Sequence, residues 1–421
     1  MIQKTLIKIT LALLAIFIAP CALTAEEPPL HYSRGFTDTR GGLDGRIIVV
    51  DTLEHEGPGS IREAIDAEGP RTVVFEVGGV IDLEGETLEI TQPHLSIAGQ
   101  TAPSPGITFI RGEIYVDTHD VIIQHIRIRV GDAKKEIEKW EPDNIATSRT
   151  ARDVVFDHIS AAWSIDENMS VSGMFDGMLE KSEEKPSHRA TLSNNLLAEG
   201  LKHSTHPKDE HSCGTLIMDN TEDIAVFGNF YAHNFRRNPL LKGNTKAVVV
   251  NNLIYNPGRQ IIGLEGGNSH SAIVGNYIVD GVDTTNRWKF TIPWKPELFI
   301  RDNWRKHEGE LKEVRPRPNQ TLEEPTVWPE RLTAMPAEAA REYVLANVGA
   351  RPADRDEIDK RILQTLLDGT GKIINSQDEV GGYPEVKEPV RRPLTLPDNG
   401  QSIEDWLAPF TREVEGPQAE R

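Results

Sequence analysis

The sequence predicts an all-β parallel β-helix, preceded by one short capping helix and followed by a partly helical C-terminal strap. Three observations carry this. Short apolar segments recur along the chain: LSIAGQ, VIIQHIRI, VVFDHISA, TLSNNLLA, AVFGNFYA, VVVNNLIY and AIVGNYIV. Aligned on a shared polar position, they bring Gly99, His125, His158, Asn195, Asn229, Asn252 and Asn276 into one column, with steps of 26, 33, 37, 34, 23 and 24 residues. A basic step near 23 with insertions is the pattern of one coil per repeat, the insertions forming loops on one face. Finally, only one helix signal precedes the whole series.

The elements follow in order. Residues 1–25 read as an export signal: Lys4 and Lys8, then the apolar run Leu11 to Ile18, then a small-residue region cut after Ala25. The run is well short of the roughly 20 residues needed to span a bilayer, so no membrane partner is expected. Cys21 offers lipid attachment as a lesser alternative. Residues 26–45 are an irregular lead-in, and Arg46 to Val50 is the first strand. Ser60 with Glu63 forms a capping box, which predicts a helix from Ile61 to Ala67 placed over an exposed sheet edge. RTVVFEVGGVIDL returns to strand. The β-helix then occupies residues 26–290.

Asn195, Asn229, Asn252 and Asn276 are expected to stack their amides from coil to coil, each satisfying the next. His125 and His158 are expected to be structural as well. After Val282 the repeat stops, and residues 284–332 read as extended or loop. Pro336 to Val348 and Asp354 to Leu367 are expected helices, closed near Gly349 and Gly369. They make residues 291–421 an extension with two short helices packed on the β-helix.

The net charge is −19, and loss of Lys4 and Lys8 with the signal would make it −21. Such a chain is a poor partner for nucleic acid, whose affinity comes from neutralising phosphates. An anionic ligand would need a local cationic cleft or a bound cation. After the signal only Cys213 remains, so no intrachain disulfide is available and a large core must supply stability. A monomer, secreted or periplasmic, is expected.

The stretch Arg152 to Val171 concentrates the chemistry. Asp157 and His158 end a strand, Asp166 and Glu167 follow, Asp143 lies upstream, and Arg236 and Arg237 lie downstream. The long insertions carry Asp143, Asp166, Glu167 and the run KHSTHPKDEH, and loops on a rigid scaffold are where function usually sits. Carboxylates near an Arg pair suggest a metal-assisted site for an anionic substrate. From the residues alone, Arg237 reads as a carboxylate clamp, with His206, Lys208 or His211 as candidate base. Trp163 reads as core.

With these motifs in view, the chain resembles the pectate lyases of the parallel β-helix polysaccharide lyase class. The matching stretches are GPGSIREAI, RTVVFEVGGVIDL, IAGQTAPSPGITF, DVIIQHIRIRVGD, VVFDHISAAWSIDENMSV, AHNFRRNPLLKG and NNLIYNPG. The resemblance implies a right-handed, pectin-lyase-like β-helix and cleavage of pectate, an acidic polysaccharide, by calcium-assisted β-elimination. It implies Ca2+ on Asp143, Asp166 and Glu167, and Arg237 as base. Lys208 and Lys242 would bind substrate carboxylates, with Arg236 and His206 beside them and Lys202 as the alternative to Lys208. The chain departs from the family in two places. Ser170 stands where a later acid is expected, and Lys242 replaces the second Arg of the Arg-x-Pro-x-x-Arg pattern. Other outcomes to separate are a lyase for another acidic glycan, a β-helix glycosidase, and a non-catalytic glycan-binding β-helix.

Overall fold

In a computed structural model, the described residues are 34–132, 140–285, 297–314, 321–398 and 400–416. The predicted export signal and Cys21 lie outside them. No helix among the described residues is long and apolar enough to cross a membrane.

The chain winds into a right-handed parallel β-helix with three sheets of 10, 7 and 11 strands. Almost every pairing is parallel and runs between successive coils, as in Arg152–Asp157 between His119–Gln124 and His188–Ser193. Strands supply β-branched and aromatic residues alternately to the interior, so Val154 and Phe156 enter one continuous core while Val155 packs outside against Ile122. The first strand is Arg46–Val50, as predicted. The helix is Ile61–Asp66, with Ser60 Oγ accepting from Glu63 N and the Glu63 carboxylate accepting from Gly59 N. Its free carbonyls are met by a buried guanidinium: Arg71 donates to Ala64 O and Ile65 O, and to Pro93 O on the next coil.

The asparagine column forms. Asn229 Nδ2 donates to Asn252 Oδ1 at 3.0 Å, Asn252 to Asn276 at 2.9 Å, and Asn276 to Asn303 at 2.8 Å. Two corrections follow. The column gains Asn303, because a further coil at Glu297–Arg301 and Trp304–His307 carries the repeat past the expected end at residue 290. Its first strand carries Leu298, Phe299 and Ile300, but its second, Trp304–His307, is polar where the earlier coils are apolar. Secondly, Gly99, His125 and His158 sit one position out of the column. Asp157 pairs with Ser193, so His158 is level with Asn194, and Ile159 N donates to Asn195 Oδ1. The rings of His125 and His158 instead stack on each other, with centroids 4.9 Å apart. Asp157 is buried and accepts from Ser193, Asn194 and Gln124.

The C-terminal region wraps the outside. Helices Ala337–Asn347 and Glu357–Asp368 correspond to the two expected ones. A third, Ile403–Glu415, was not expected, because it follows a Pro-rich extended run and carries Pro409 within it; it buries Trp406 and Leu407 against Val74 and Ala98 of the ten-stranded sheet. The strap locks to the eleven-stranded sheet through buried ions: Arg129 and Ser160 hold Asp359, and Arg361 grips Glu199 at 2.6 and 2.8 Å. Trp163 is fully buried and donates to Glu199.

Asn252→Ala should lower stability by about 3 kcal/mol, since it leaves amide groups of both neighbouring coils without partners in the core. Exposed Asn268→Ala should change it by less than about 0.5 kcal/mol. Urea unfolding of both variants checks this.

Candidate active site

The seven-stranded sheet places its chemistry by register. Asp143 N-terminal to Ile145–Thr147, Glu167 of Glu167–Ser172, Cys213 of Cys213–Met218, and Arg236 fall level on successive coils. The coil before them contributes Glu113, next to Ile114. Beneath this column runs a second buried amide chain that the sequence reading missed. Asn144 donates to Asn168 at 2.8 Å, Asn168 to Asn234 at 3.0 Å, and Asn234 to Asn238 at 3.2 Å. Each of the first three follows or precedes a charged residue by one or two positions, so the chain fixes the height of those charges.

Acids fill one end. Asp143 Oδ1 accepts from Glu167 N at 2.8 Å, and its other oxygen accepts from Ser170 Oγ. Ser170 therefore takes no carboxylate role; it supports Asp143. Burial, together with the negative charge of Asp166, holds the Asp143 carboxyl well above the usual range. Burial and the same two acids push Glu113 up to about 8. Glu113 was absent from the sequence reading, because nothing in GEIYV marks it and only coil stacking brings it beside Asp143.

Cations fill the other end. The Arg237 guanidinium pairs with Glu167 and lies 3.8 Å from Asp166. Its backbone is left-handed, φ +62, and its N–H donates to Gln260 Oε1. Burial pushes its pKa down, while Asp166, Asp143 and Glu265 act the other way. Arg236 Nη2 donates to His211 Nδ1 at 3.0 Å. An arginine cannot accept, so His211 Nδ1 is bare and its Nε2 carries the proton given to Asp166 Oδ1. Burial raises the Asp166 pKa, but this His211 bond, with Arg237 and His206, outweighs it and holds Asp166 ionised.

The remaining expected residues divide. His206 is buried and stacks on His211 with centroids 3.8 Å apart; burial, with His211, lowers its pKa to about 4, so it is neutral. Lys208 is exposed on the adjoining loop, where its N–H donates to His206 Nδ1. Lys242 is exposed at the end of Leu240–Lys242, level with Glu265. Lys202 is already committed, 3.0 Å from Glu210 and over the Phe235 ring.

Donor atoms of Asp166, Glu167, His211 and Cys213 lie within 4.8 Å of one another. Both His211 nitrogens are engaged, and burial pushes the Cys213 thiol up, so it stays protonated. The donors left are carboxylate oxygens of Glu113, Asp143, Asp166 and Glu167. An oxygen set with more negative charge than its surroundings compensate fits a hard divalent cation.

No family model matches the chain. It is 36% identical over 252 residues to a probable pectate lyase C of Aspergillus terreus, covering 58% of this chain and 52% of that protein. It is 31% identical over 368 residues to a probable pectate lyase C of Emericella nidulans, covering 81% of this chain and 76% of that one. The chain thus spans about half the length of the first of these relatives, 52%, and three quarters of the second, 76%. Among solved structures, the thermostable pectate lyase PL 47 superposes with TM-score 0.53 at 13% identity, over 74% of this chain and 94% of that one. A second pectate lyase, studied for its substrate specificity and anti β-elimination mechanism, gives 0.50 at 12%, over 74% and 94%. The fold agrees with both, and on its sequence relatives this chain belongs to the pectate lyase family.

Proposed function

We propose that this protein is a polysaccharide lyase that cleaves pectate by calcium-assisted β-elimination. The observation that carries the proposal is the charge order along one sheet face: four carboxylates at one end, with Arg237 reaching into them from the other. Asp143, Asp166 and Glu167 would hold the ion, with Glu113 as a fourth acid in place of the one absent at Ser170. Bound there, a calcium ion would withdraw charge from the uronate carboxylate and make the neighbouring proton acidic.

Arg237 takes that proton in this reading. Its burial favours the neutral guanidine needed for the step, and Gln260 fixes its backbone. Lys208 and Lys242 are exposed and would bind substrate carboxylates. Arg236 and His206 support from behind: Arg236 sets the His211 tautomer, His211 orients Asp166, and His206 packs on His211. Export by residues 1–25, as a secreted or periplasmic monomer, accords with a polymeric substrate.

Incubation with polygalacturonate should raise ultraviolet absorbance from unsaturated product, and a calcium chelator should stop the rise. Reducing ends without absorbance would mean hydrolysis; binding without product would mean a lectin-like role. Arg237→Ala should lower kcat by about a thousandfold, and near-normal turnover would remove it as base. Asp166→Ala should raise the calcium concentration needed for half-maximal rate.

The raised carboxyls set a pH dependence. Glu113, at about 8, binds its proton more tightly folded than unfolded, so stability in chelator should fall as pH rises from about 4.5 towards 8. Glu113→Gln should flatten that decline, by on the order of 2 kcal/mol at pH 8. Denaturant melts of both proteins at pH 5 and pH 8 read it directly.

A further inference from the structure

A second cluster of ligating side chains lies on a different sheet, at the start of its strands. His94 and Asp120 occupy level positions on adjacent coils, just before Leu95 and Val121 of the ten-stranded sheet. Both are left-handed, φ +57, so each side chain leaves the coil at the same corner. His119 precedes Asp120. Its Nδ1 lies 2.7 Å from Asp120 Oδ2, and His94 Nδ1 lies 3.8 Å from the same oxygen. The two imidazoles meet edge to face with centroids 5.4 Å apart. One donor atom from each of the three residues falls within 4.8 Å of the others.

The cluster has the makings of a coordination site. Asp120 Oδ1 is anchored by the Thr39 hydroxyl at 2.7 Å, which leaves Oδ2 facing the two rings. Metal-ligating carboxylates are typically held by such an outer hydrogen bond. The three donors need separations of about 3.3 Å around a tetrahedral zinc ion, between the two distances found here. The side chains are partly exposed, His94 46%, His119 28% and Asp120 28%, so an ion can enter and keep a water.

We propose that His94, His119 and Asp120 form a surface site for a borderline transition-metal ion such as Zn2+, separate from the carboxylate cluster of the seven-stranded sheet. Two imidazoles and one carboxylate select such ions over calcium. On binding, the metal takes His119 Nδ1, and the single proton of the neutral ring sits on Nε2. The ion joins two adjacent coils and, through Thr39, clips the lead-in segment to them. The proposal does not rest on the lyase reading.

The test is zinc titration of the full chain by calorimetry at pH 7.5, in millimolar calcium so that the carboxylate cluster is occupied or competed. Wild type should show a micromolar site, and His94→Gln/His119→Gln should lose one equivalent of zinc while keeping its circular dichroism and its melting temperature in chelator. Zinc should raise the melting temperature of wild type but not of the double variant. Copper(II) in the same site should give an electron paramagnetic resonance spectrum with coupling to two nitrogens. Equal zinc uptake by both proteins, zinc displaced by calcium, no uptake below millimolar zinc, or a copper spectrum without two nitrogens would each overturn the assignment.

Discussion

In-register stacking of parallel rungs is the constraint on which everything else in this molecule depends. A coil cannot shift by one residue without turning its apolar side chains out of the core and its polar corner in. The buried amides enforce this. Asn252 donates to Val226 O and to Asn276 Oδ1, and accepts from Asn229. A slip would strand those groups in a core where each unmet partner is costly. The run from Asn195 to Asn303 therefore works as a register key for the C-terminal half, while the stacked rings of His125 and His158 occupy the neighbouring corner in the N-terminal half.

The same constraint assembles the candidate active site. Residues far apart in sequence, from Glu113 to Arg237, become neighbours because rungs stack at a fixed spacing. The chain Asn144–Asn168–Asn234 holds them level even though the acids repel one another. Rigidity here comes from backbone pairing and not from the loops themselves. The C-terminal strap contributes by covering other faces: its buried ions lie on the eleven-stranded sheet and its last helix on the ten-stranded one. Arg129 and Asp359 are fully buried there, which is tolerable because each is met by the other and by Ser160 or its backbone carbonyl.

Particular residues show where the sequence was legible. The capping box at Ser60 and the first strand were readable as local signals, and the asparagine column as a polar position recurring at a similar step. The one-residue misplacement of His125 and His158 has a plain cause. Both are polar residues at a corner, and only strand pairing tells which of two adjacent corner positions each occupies. The coil at 297–307 was missed because its second strand, Trp304–His307, is polar, and the helix at 403–415 because a Pro-rich run precedes it and Pro409 lies inside it. At the site, Asp143, Asp166, Glu167 and Arg237 were all singled out, and they do converge. Glu113 and the Asn144 chain were not, since they carry no local pattern.

By itself, the sequence determined the coil period, the cap, the interior face of each strand and a set of acidic and basic residues on the long loops. Tertiary structure alone decided which of those charges touch. It paired Arg237 with Glu167, turned Arg236 inward to His211, buried His206, left Lys208 and Lys242 exposed, and gave Ser170 to Asp143. The physical reason is that the period fixes which residues can be neighbours between coils. Their actual contacts depend on loop paths and on the balance of burial against charge, and neither is written in local spacing.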